Sequence, residues 1–122
     1  MALAGVKARR ILPEDRYDLI IPSASKEEKE GKTPRISVLI GFPEHPEAEN
    51  MFHSIWLAKP EDTPEKVENK LRMAVAFFEL FEIPTAENGV ELTDFPGSVA
   101  SNVPVYQDEY EGKIKNILQI FG

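Results

Sequence analysis

The amino-acid sequence predicts a mainly β domain with a single helix between its third and fourth strands. Three observations support this fold class: five short segments with the composition of strands, one helical pattern after the third segment, and a hairpin signature close to the end. At 122 residues the chain has the length of one domain, residues 1–122. Because its first fifteen residues have no clear period, we expect an N-terminal arm over residues 1–15.

The five strand segments are runs in which apolar residues alternate with polar ones or β-branched residues dominate. In the second segment, for example, Ile36, Val38 and Ile40 recur at every other position and share one face of a strand. Segments rich in proline, glycine and charge separate the runs, among them a charged loop of residues 23–34. The strands predicted in this way are residues 16–22, 35–42, 52–57, 99–106 and 113–121.

The third predicted strand has two unlike faces. Ile55 and Leu57 point one way, while Phe52, Ser54 and Trp56 point the other. If the aliphatic side belongs to the core, the two aromatic side chains lie outside, on the surface of the sheet.

The helix is predicted to begin at Pro64 and to end before Pro84. Thr63 can cap it, because its hydroxyl accepts a hydrogen bond from an N–H group of the first turn, and proline is favourable at the first position. The helix carries two apolar stripes, and we expect the first to close the open end of the barrel: Val67, Leu71, Ala74, Val75 and Phe78. The second either packs inside as well or forms a homodimer contact: Met73, Phe77 and Leu80.

The closing segments predict a hairpin, because two β-rich runs flank the short polar loop 107–112, which contains Gly112. With this hairpin the order is strand, strand, strand, helix, strand, strand. That is the order of the OB-fold, a small and partly open five-stranded barrel. A mixed α+β sandwich built from the same elements is the main alternative.

The net charge of −7 argues at first against nucleic-acid binding, but the acidic residues are unevenly distributed. Residues 60–95 contain nine acidic and three basic residues, whereas the rest of the chain is nearly balanced, with twelve acidic and eleven basic residues. A basic surface elsewhere on the domain is therefore compatible with the composition.

The absence of cysteine excludes disulfides and thiolate metal sites and is typical of a reducing compartment, so we expect a cytoplasmic location. No membrane association is expected either. The longest apolar helical stretch, Met73–Phe81, is too short to span a bilayer and contains Glu79.

The sequence contains no motif of catalytic machinery, and we expect neither enzymatic activity nor a cofactor. The only histidines are His45 and His53, which could form a metal cluster with Glu44, Glu47 and Glu49. No pair has the i, i+4 spacing of a helical site, and nearby prolines interrupt the local structure. A solvated acidic loop is the favoured interpretation.

Residues 109–116, Glu-Tyr-Glu-Gly-Lys-Ile-Lys-Asn, resemble the closing motif of a family of phage-encoded proteins similar to single-stranded DNA-binding proteins. In that family a tyrosine-x-glycine-lysine-x-x-asparagine run commonly opens the last strand. Residues 12–21, followed by the charged loop with Gly31 and Lys32, resemble the first hairpin of the same family.

The resemblance implies an OB-fold that coats single-stranded DNA during replication or recombination, in the cytoplasm of an infected host cell. Many members of the family end in a flexible acidic tail that recruits partners. This sequence ends in Leu-Gln-Ile-Phe-Gly, within the last predicted strand, so we do not expect recruitment through such a tail.

Non-specific binding of single strands needs aromatic faces that stack on bases and cations that follow the phosphates. Phe42 is assigned to the core, because a phenylalanine in a strand is usually buried. The candidates for stacking are Trp56, Tyr110, Tyr106, Phe52, Tyr17 and Phe121, with Trp56 and Tyr110 favoured. The candidates for phosphate contacts are Arg35, Lys32, Lys113, Lys115, Arg16 and Lys59.

A second function class also fits the sequence: an acidic structural or adaptor protein, such as a virion component or an inhibitor, that acts through protein contacts. The net acidity and the second apolar stripe of the helix support this alternative. The salt dependence of DNA binding would separate the two classes.

Overall fold

In the computed structural model, which describes residues 10–85 and 89–120, five antiparallel strands form one sheet and a single α-helix follows the third strand. The order of strands across the sheet is β3-β2-β1-β4-β5. A short 3-10 helix, Leu92–Asp94, precedes the fourth strand. The other elements are β1 Asp15–Glu27, β2 Arg35–Gly41, β3 Met51–Trp56, α1 Pro64–Leu80, β4 Val99–Tyr110 and β5 Lys113–Ile117.

The mainly β character and the position of the helix after the third strand are confirmed. The sheet is not closed into a barrel, because no ladder joins β3 to β5 within the described residues, and these two strands form its edges. Every neighbouring pair in the sheet is antiparallel.

β1 is longer than predicted, because the expected loop 23–34 begins inside a strand. The prediction ended β1 at Pro22, which cannot donate to a ladder. The register of β1 against β2 shifts between Ile20 and Ser23, so that Pro22 lies in a bulge and pairing resumes with Ser23 opposite Leu39. The strand then continues to Glu27, and only residues 28–34 connect β1 to β2.

The closing hairpin is confirmed, but its strands have different lengths from those predicted. β4 continues past Tyr106 to Tyr110, and a two-residue turn of Glu111 and Gly112 leads into β5. Both turn residues have positive φ angles, 51° and 78°, as the tightest hairpin turns require. β5 ends at Ile117, so the predicted strand 113–121 is too long at its C-terminal end; Phe121 lies outside the described residues.

The core lies between the inner side of the sheet, α1 and the segment that precedes β1. Thr63 caps α1 as predicted, accepting a hydrogen bond from Lys66 N at 3.3 Å. Phe42 is buried, also as predicted. The fully buried large side chains are Phe77, Phe81, Phe95, Leu12, Leu19, Ile21, Ile40, Val38 and Val105.

The first apolar stripe of α1, which was predicted to close the barrel, is mostly exposed, and of the two alternatives for the second stripe the structure shows inward packing of Phe77 and Leu80. Phe77 is 0% exposed and stacks on His53, so it cannot form the predicted homodimer contact; Leu80 packs against the core and only Met73 is exposed. In the stripe expected to be buried, Ala74 is buried and Phe78 partly so. The remaining members are exposed: Val67, Leu71 and Val75. Sequence pattern alone could not separate two faces of similar apolarity.

The segment before β1, which the sequence assigned to an arm, is bound to the domain from Arg10 onward. Arg10 N donates to Glu47 O at 3.0 Å. Leu12 is buried, and its N–H donates to Oδ1 of Asn116 at 2.8 Å, while Nδ2 of Asn116 donates to Leu12 O at 2.9 Å. Gln107 also donates to Leu12 O, at 2.8 Å. This network fixes the start of the domain to its last hairpin.

We expect Asn116→Ala to lower the free energy of unfolding by about 1–3 kcal/mol, because it leaves the buried N–H of Leu12 without its partner. Chemical denaturation measures the change. Lys115→Ala, on the exposed side of the same strand, is the control and should change stability by less than about 0.5 kcal/mol. Equal effects of the two substitutions would contradict a structural role for Asn116.

Candidate nucleic-acid interface

The solvent side of β1, β2 and β3 is arranged in three rows, because residues paired across neighbouring strands share a face. The two outer rows each end in an exposed aromatic side chain of β3, and the middle row consists of serines. The rows are Glu27–Arg35–Trp56, Ser25–Ser37–Ser54 and Ser23–Leu39–Phe52, and we call these nine residues the outer face.

Alternation along β3 produces this arrangement, as the sequence predicted. Met51 and Ile55 are buried, whereas Phe52 is 72% exposed and Trp56 is 47% exposed. Phe52 and Trp56 are four residues apart on one strand, a distance of about 13 Å at the usual rise per residue. They are therefore separate contact points for a ligand that extends along the strand.

Arg35 is the central charge of the outer face. Its Nε lies 2.6 Å from Oε2 of Glu27, its Nη1 donates to Oγ of Ser54 at 2.8 Å, and its guanidinium carbon lies 5.6 Å from the centroid of the Trp56 ring. These contacts hold the guanidinium over the indole in a cation–π arrangement. Glu27 offsets part of the positive charge.

The connection between β1 and β2 brings further cations to Trp56. A cavity of about 380 Å³ is lined by three cationic side chains, one carboxylate, Thr33 and the indole: Lys29, Lys32, Arg35, Glu27 and Trp56. We call it the loop cavity. The structure thus brings together Trp56, Arg35 and Lys32, three of the predicted site residues.

A second group of predicted residues meets in the gap between the edge strands β3 and β5. A cavity of about 390 Å³ is lined there by Phe52, Tyr110 and Lys115, together with the acidic side chains of Glu49 and Asp108. Tyr110 is 67% exposed. This gap cavity therefore combines two aromatic surfaces with one cation and two carboxylates.

The other predicted site residues lie outside these two groups. Arg16 donates to Asn102 O at 3.0 Å on the far side of β1, and Lys59 pairs with Glu61 at 3.5 Å in the connection from β3 to α1. Tyr106 is partly buried opposite Ile117.

Two further members of the predicted set are placed by contacts of their own. Lys113 is exposed opposite Tyr110 at the turn of the last hairpin. Tyr17 donates its hydroxyl to Pro13 O at 2.6 Å and packs edge-on against Phe42, so its ring serves the structure.

Sequence reasoning missed Lys29 and the serine row. Lys29 was assigned to a charged loop. Its position three residues before Lys32 could have indicated that a turn brings the two lysines together. In the structure Lys29 O accepts a hydrogen bond from Lys32 N at 3.0 Å. Ser25 was also assigned to the loop, because the continuation of β1 beyond its proline depends on the bulge.

The two histidines lie in different surroundings. His53 stacks on Phe77 with ring centroids 5.0 Å apart, and its burial lowers its pKa. Nδ1 of His45 lies 3.3 Å from Oε1 of Glu47, whose pKa is lowered chiefly by a backbone hydrogen bond. Among residues 10–85 and 89–120 there is no group of three or more side chains suited to hold a metal ion.

Comparison with known proteins adds no relative: no protein-family model matches the chain, and no curated protein matches it. In the part of the chain that the structure describes, no helix has both the length and the apolar character needed to cross a membrane.

We expect stability to fall as the pH decreases below about 6.5, the ordinary pKa of histidine. The pKa of His53 is lower in the folded state than in the unfolded state, so below 6.5 the unfolded state binds the proton more readily. The loss is at most about 1.4 kcal/mol per pH unit. Denaturation curves between pH 8 and pH 5 measure it.

His53→Phe should flatten this pH dependence, while His45→Gln should leave it in place. If His53→Phe and the original protein lose stability in parallel over the same pH range, another group is responsible.

Proposed function

We propose that this protein binds single-stranded DNA with little sequence preference, through the outer face and the two cavities at its ends. The observation that carries the proposal is the pair of exposed aromatic side chains on β3, Phe52 and Trp56, of which Trp56 lies beside three cationic side chains. Together with the family resemblance, it favours a role in coating single strands during replication or recombination, in the cytoplasm.

The proposal includes an OB-type architecture with an open side. The order β3-β2-β1-β4-β5 leaves β3 and β5 as edges, and a ladder between them would close a five-stranded barrel. OB-folds bind oligonucleotides on the face of strands 2 and 3 and with the loops between strands 1 and 2 and strands 4 and 5. Here Trp56, Lys32 and Tyr110 lie at those three places.

The chemistry of the outer face suits a single strand better than a folded partner. Exposed indole and phenyl rings can stack on bases of any sequence, at about 1–3 kcal/mol per base. Arg35 is held over Trp56, so a base that stacks on the free part of the indole brings its phosphate close to a fixed cation. The serine hydroxyls between the aromatic residues can donate to sugar or phosphate oxygens.

The acidity of the chain does not oppose this binding mode, because the outer face has Glu27 as its one acidic side chain, paired with Arg35. The helix packs on the inner side of β3, where Phe77 meets His53. Glu65, Glu68 and Glu79 are exposed on the helix, away from the outer face. Lys66, Lys70 and Arg72 balance these three carboxylates on the helix, so the cations of the loop cavity, and not repulsion by α1, would direct a polyanion to the outer face.

Trp56→Ala should weaken binding of oligothymidine by about 1–3 kcal/mol, because it removes a stacking surface. Fluorescence anisotropy of a labelled oligonucleotide at low salt measures the affinity, and indole emission of the original protein should be quenched on binding. Leu71→Ala, which also changes an exposed large apolar side chain but on α1, is the control and should bind normally. An original protein that binds no oligothymidine at low salt would falsify the proposed function.

Lys32→Ala should reduce the salt dependence of binding. One lost phosphate contact lowers the slope of log K against log salt concentration by about 0.7 for single strands. Lys66→Ala, on the exposed surface of α1, should leave the slope unchanged. Slopes that change equally in both variants would show that net charge, and not a local contact, determines the effect.

A second candidate function is that of an acidic adaptor, and the exposed apolar stripe of α1 supports it. Val67, Leu71 and Val75 are exposed, and Glu79 and Glu82 line a cavity together with Leu71 and Val75, so the surface suits a basic amphipathic helix as partner. The probe is a synthetic helical peptide of lysine and leucine. Binding that Leu71→Glu abolishes and Trp56→Ala retains would favour this function; no binding would exclude it.

A further inference from the structure

Trp56 separates two cavities of different character. On one side lies the loop cavity with its cations. On the other side a cavity of about 270 Å³ opens between β3 and α1. Its walls are mainly apolar, and we call it the helix cavity; the lining residues are His53, Ser54, Ile55, Trp56, Asn69, Lys70, Met73 and Ala74.

The walls of the helix cavity are held in place by contacts on both elements. On β3, His53 stacks on Phe77, and Ser54 accepts from Arg35. On the helix side, Nζ of Lys70 lies 2.6 Å from Oδ2 of Asp62 and donates to Leu57 O at 3.1 Å. The Asp62 carboxylate is almost fully buried, and its hydrogen bond with Lys70 is the main cause of its lowered pKa. These contacts fix the β3 wall of the cavity and the position of Lys70 on its helix side.

The size and lining of the helix cavity suit one planar ring system. Its volume is slightly below the range of about 300–1,000 Å³ that is usual for whole drug-sized ligands. The indole of Trp56 offers an aromatic wall, and Met73 offers a thioether, which makes favourable contacts with aromatic rings. The exposed Asn69 adds an amide, whose Oδ1 accepts from Arg72 at 3.3 Å.

The two cavities beside Trp56 match the two parts of a nucleotide. The mainly apolar helix cavity suits the base, and the cationic loop cavity suits the phosphate. We propose that the helix cavity receives one unstacked base of the bound strand, while a neighbouring phosphate lies among the cations of the loop cavity. Trp56 and Met73 contact the ring, and the amide of Asn69 hydrogen-bonds to its edge, a common arrangement for splayed bases. This inference rests on the proposed function and adds a base subsite to it.

The test compares oligothymidine with an abasic deoxyribose-phosphate oligomer of the same length. Met73→Trp places a bulky side chain at the mouth of the cavity, and Leu71→Trp is the matched control on the same helix. Met73→Trp should weaken oligothymidine binding between about fivefold and a hundredfold and leave binding of the abasic oligomer unchanged. Leu71→Trp should change neither. Circular dichroism establishes that both variants are folded.

Asn69→Ala provides an independent readout, because Asn69 is exposed and its loss should not affect folding. It should alter the relative affinities for short oligomers of thymine, cytosine and adenine, since a hydrogen bond to the base edge is removed. Unchanged relative affinities would contradict the subsite, even if Met73→Trp does not fold.

The results separate the subsite from the proposed function. If the original protein binds no oligothymidine, both fail. If it binds and Trp56→Ala weakens binding, but Met73→Trp does not, the function stands and the subsite is overturned. Equal losses for oligothymidine and the abasic oligomer, or an equal loss in Leu71→Trp, also overturn the subsite.

Discussion

The alternation of side chains along β3 is the constraint on which both the core and the candidate interface depend. Successive residues of a strand point to opposite sides. In β3 this places Met51 and Ile55 in the core and leaves Phe52 and Trp56 in water. His53 adds the contact with α1 through its stack on Phe77. A shift of one residue in register would exchange the two sets, so the packing of the helix also fixes which aromatic rings remain exposed.

The asparagine of the closing motif has a structural role. The resemblance to single-stranded DNA-binding proteins rested partly on residues 109–116, which end in Asn116. This side chain is 4% exposed and forms hydrogen bonds with both backbone groups of Leu12. Tyr110 and Gly112, by contrast, lie at the exposed tip of the hairpin, where Gly112 supplies the positive φ of the turn. The motif thus combines a buried asparagine that binds the backbone of Leu12 with an exposed hairpin turn.

Local patterns predicted the strand faces, the hairpin and the cap of the helix, because each depends on neighbours in the sequence. The continuation of β1 to Glu27 was not predictable, since it depends on a bulge that accommodates Pro22 against β2. The buried side of α1 was not predictable either, because tertiary contacts of Phe77 with His53 and Phe81 distinguish it from its neighbours. For the site, the exposure of Trp56 followed from alternation, whereas its cavities depend on α1 and on the connection between β1 and β2.

The outer face of this acidic protein has one charge of each sign and therefore no net charge of its own. Its one acidic side chain, Glu27, is paired with Arg35 at 2.6 Å, and the three carboxylates of α1 are matched by three cationic side chains on the same helix. That pair lowers the local positive charge but fixes the guanidinium against Trp56. The proposed interface would therefore derive its affinity more from aromatic stacking than from net charge. Stacking depends less on the salt concentration than phosphate contacts do.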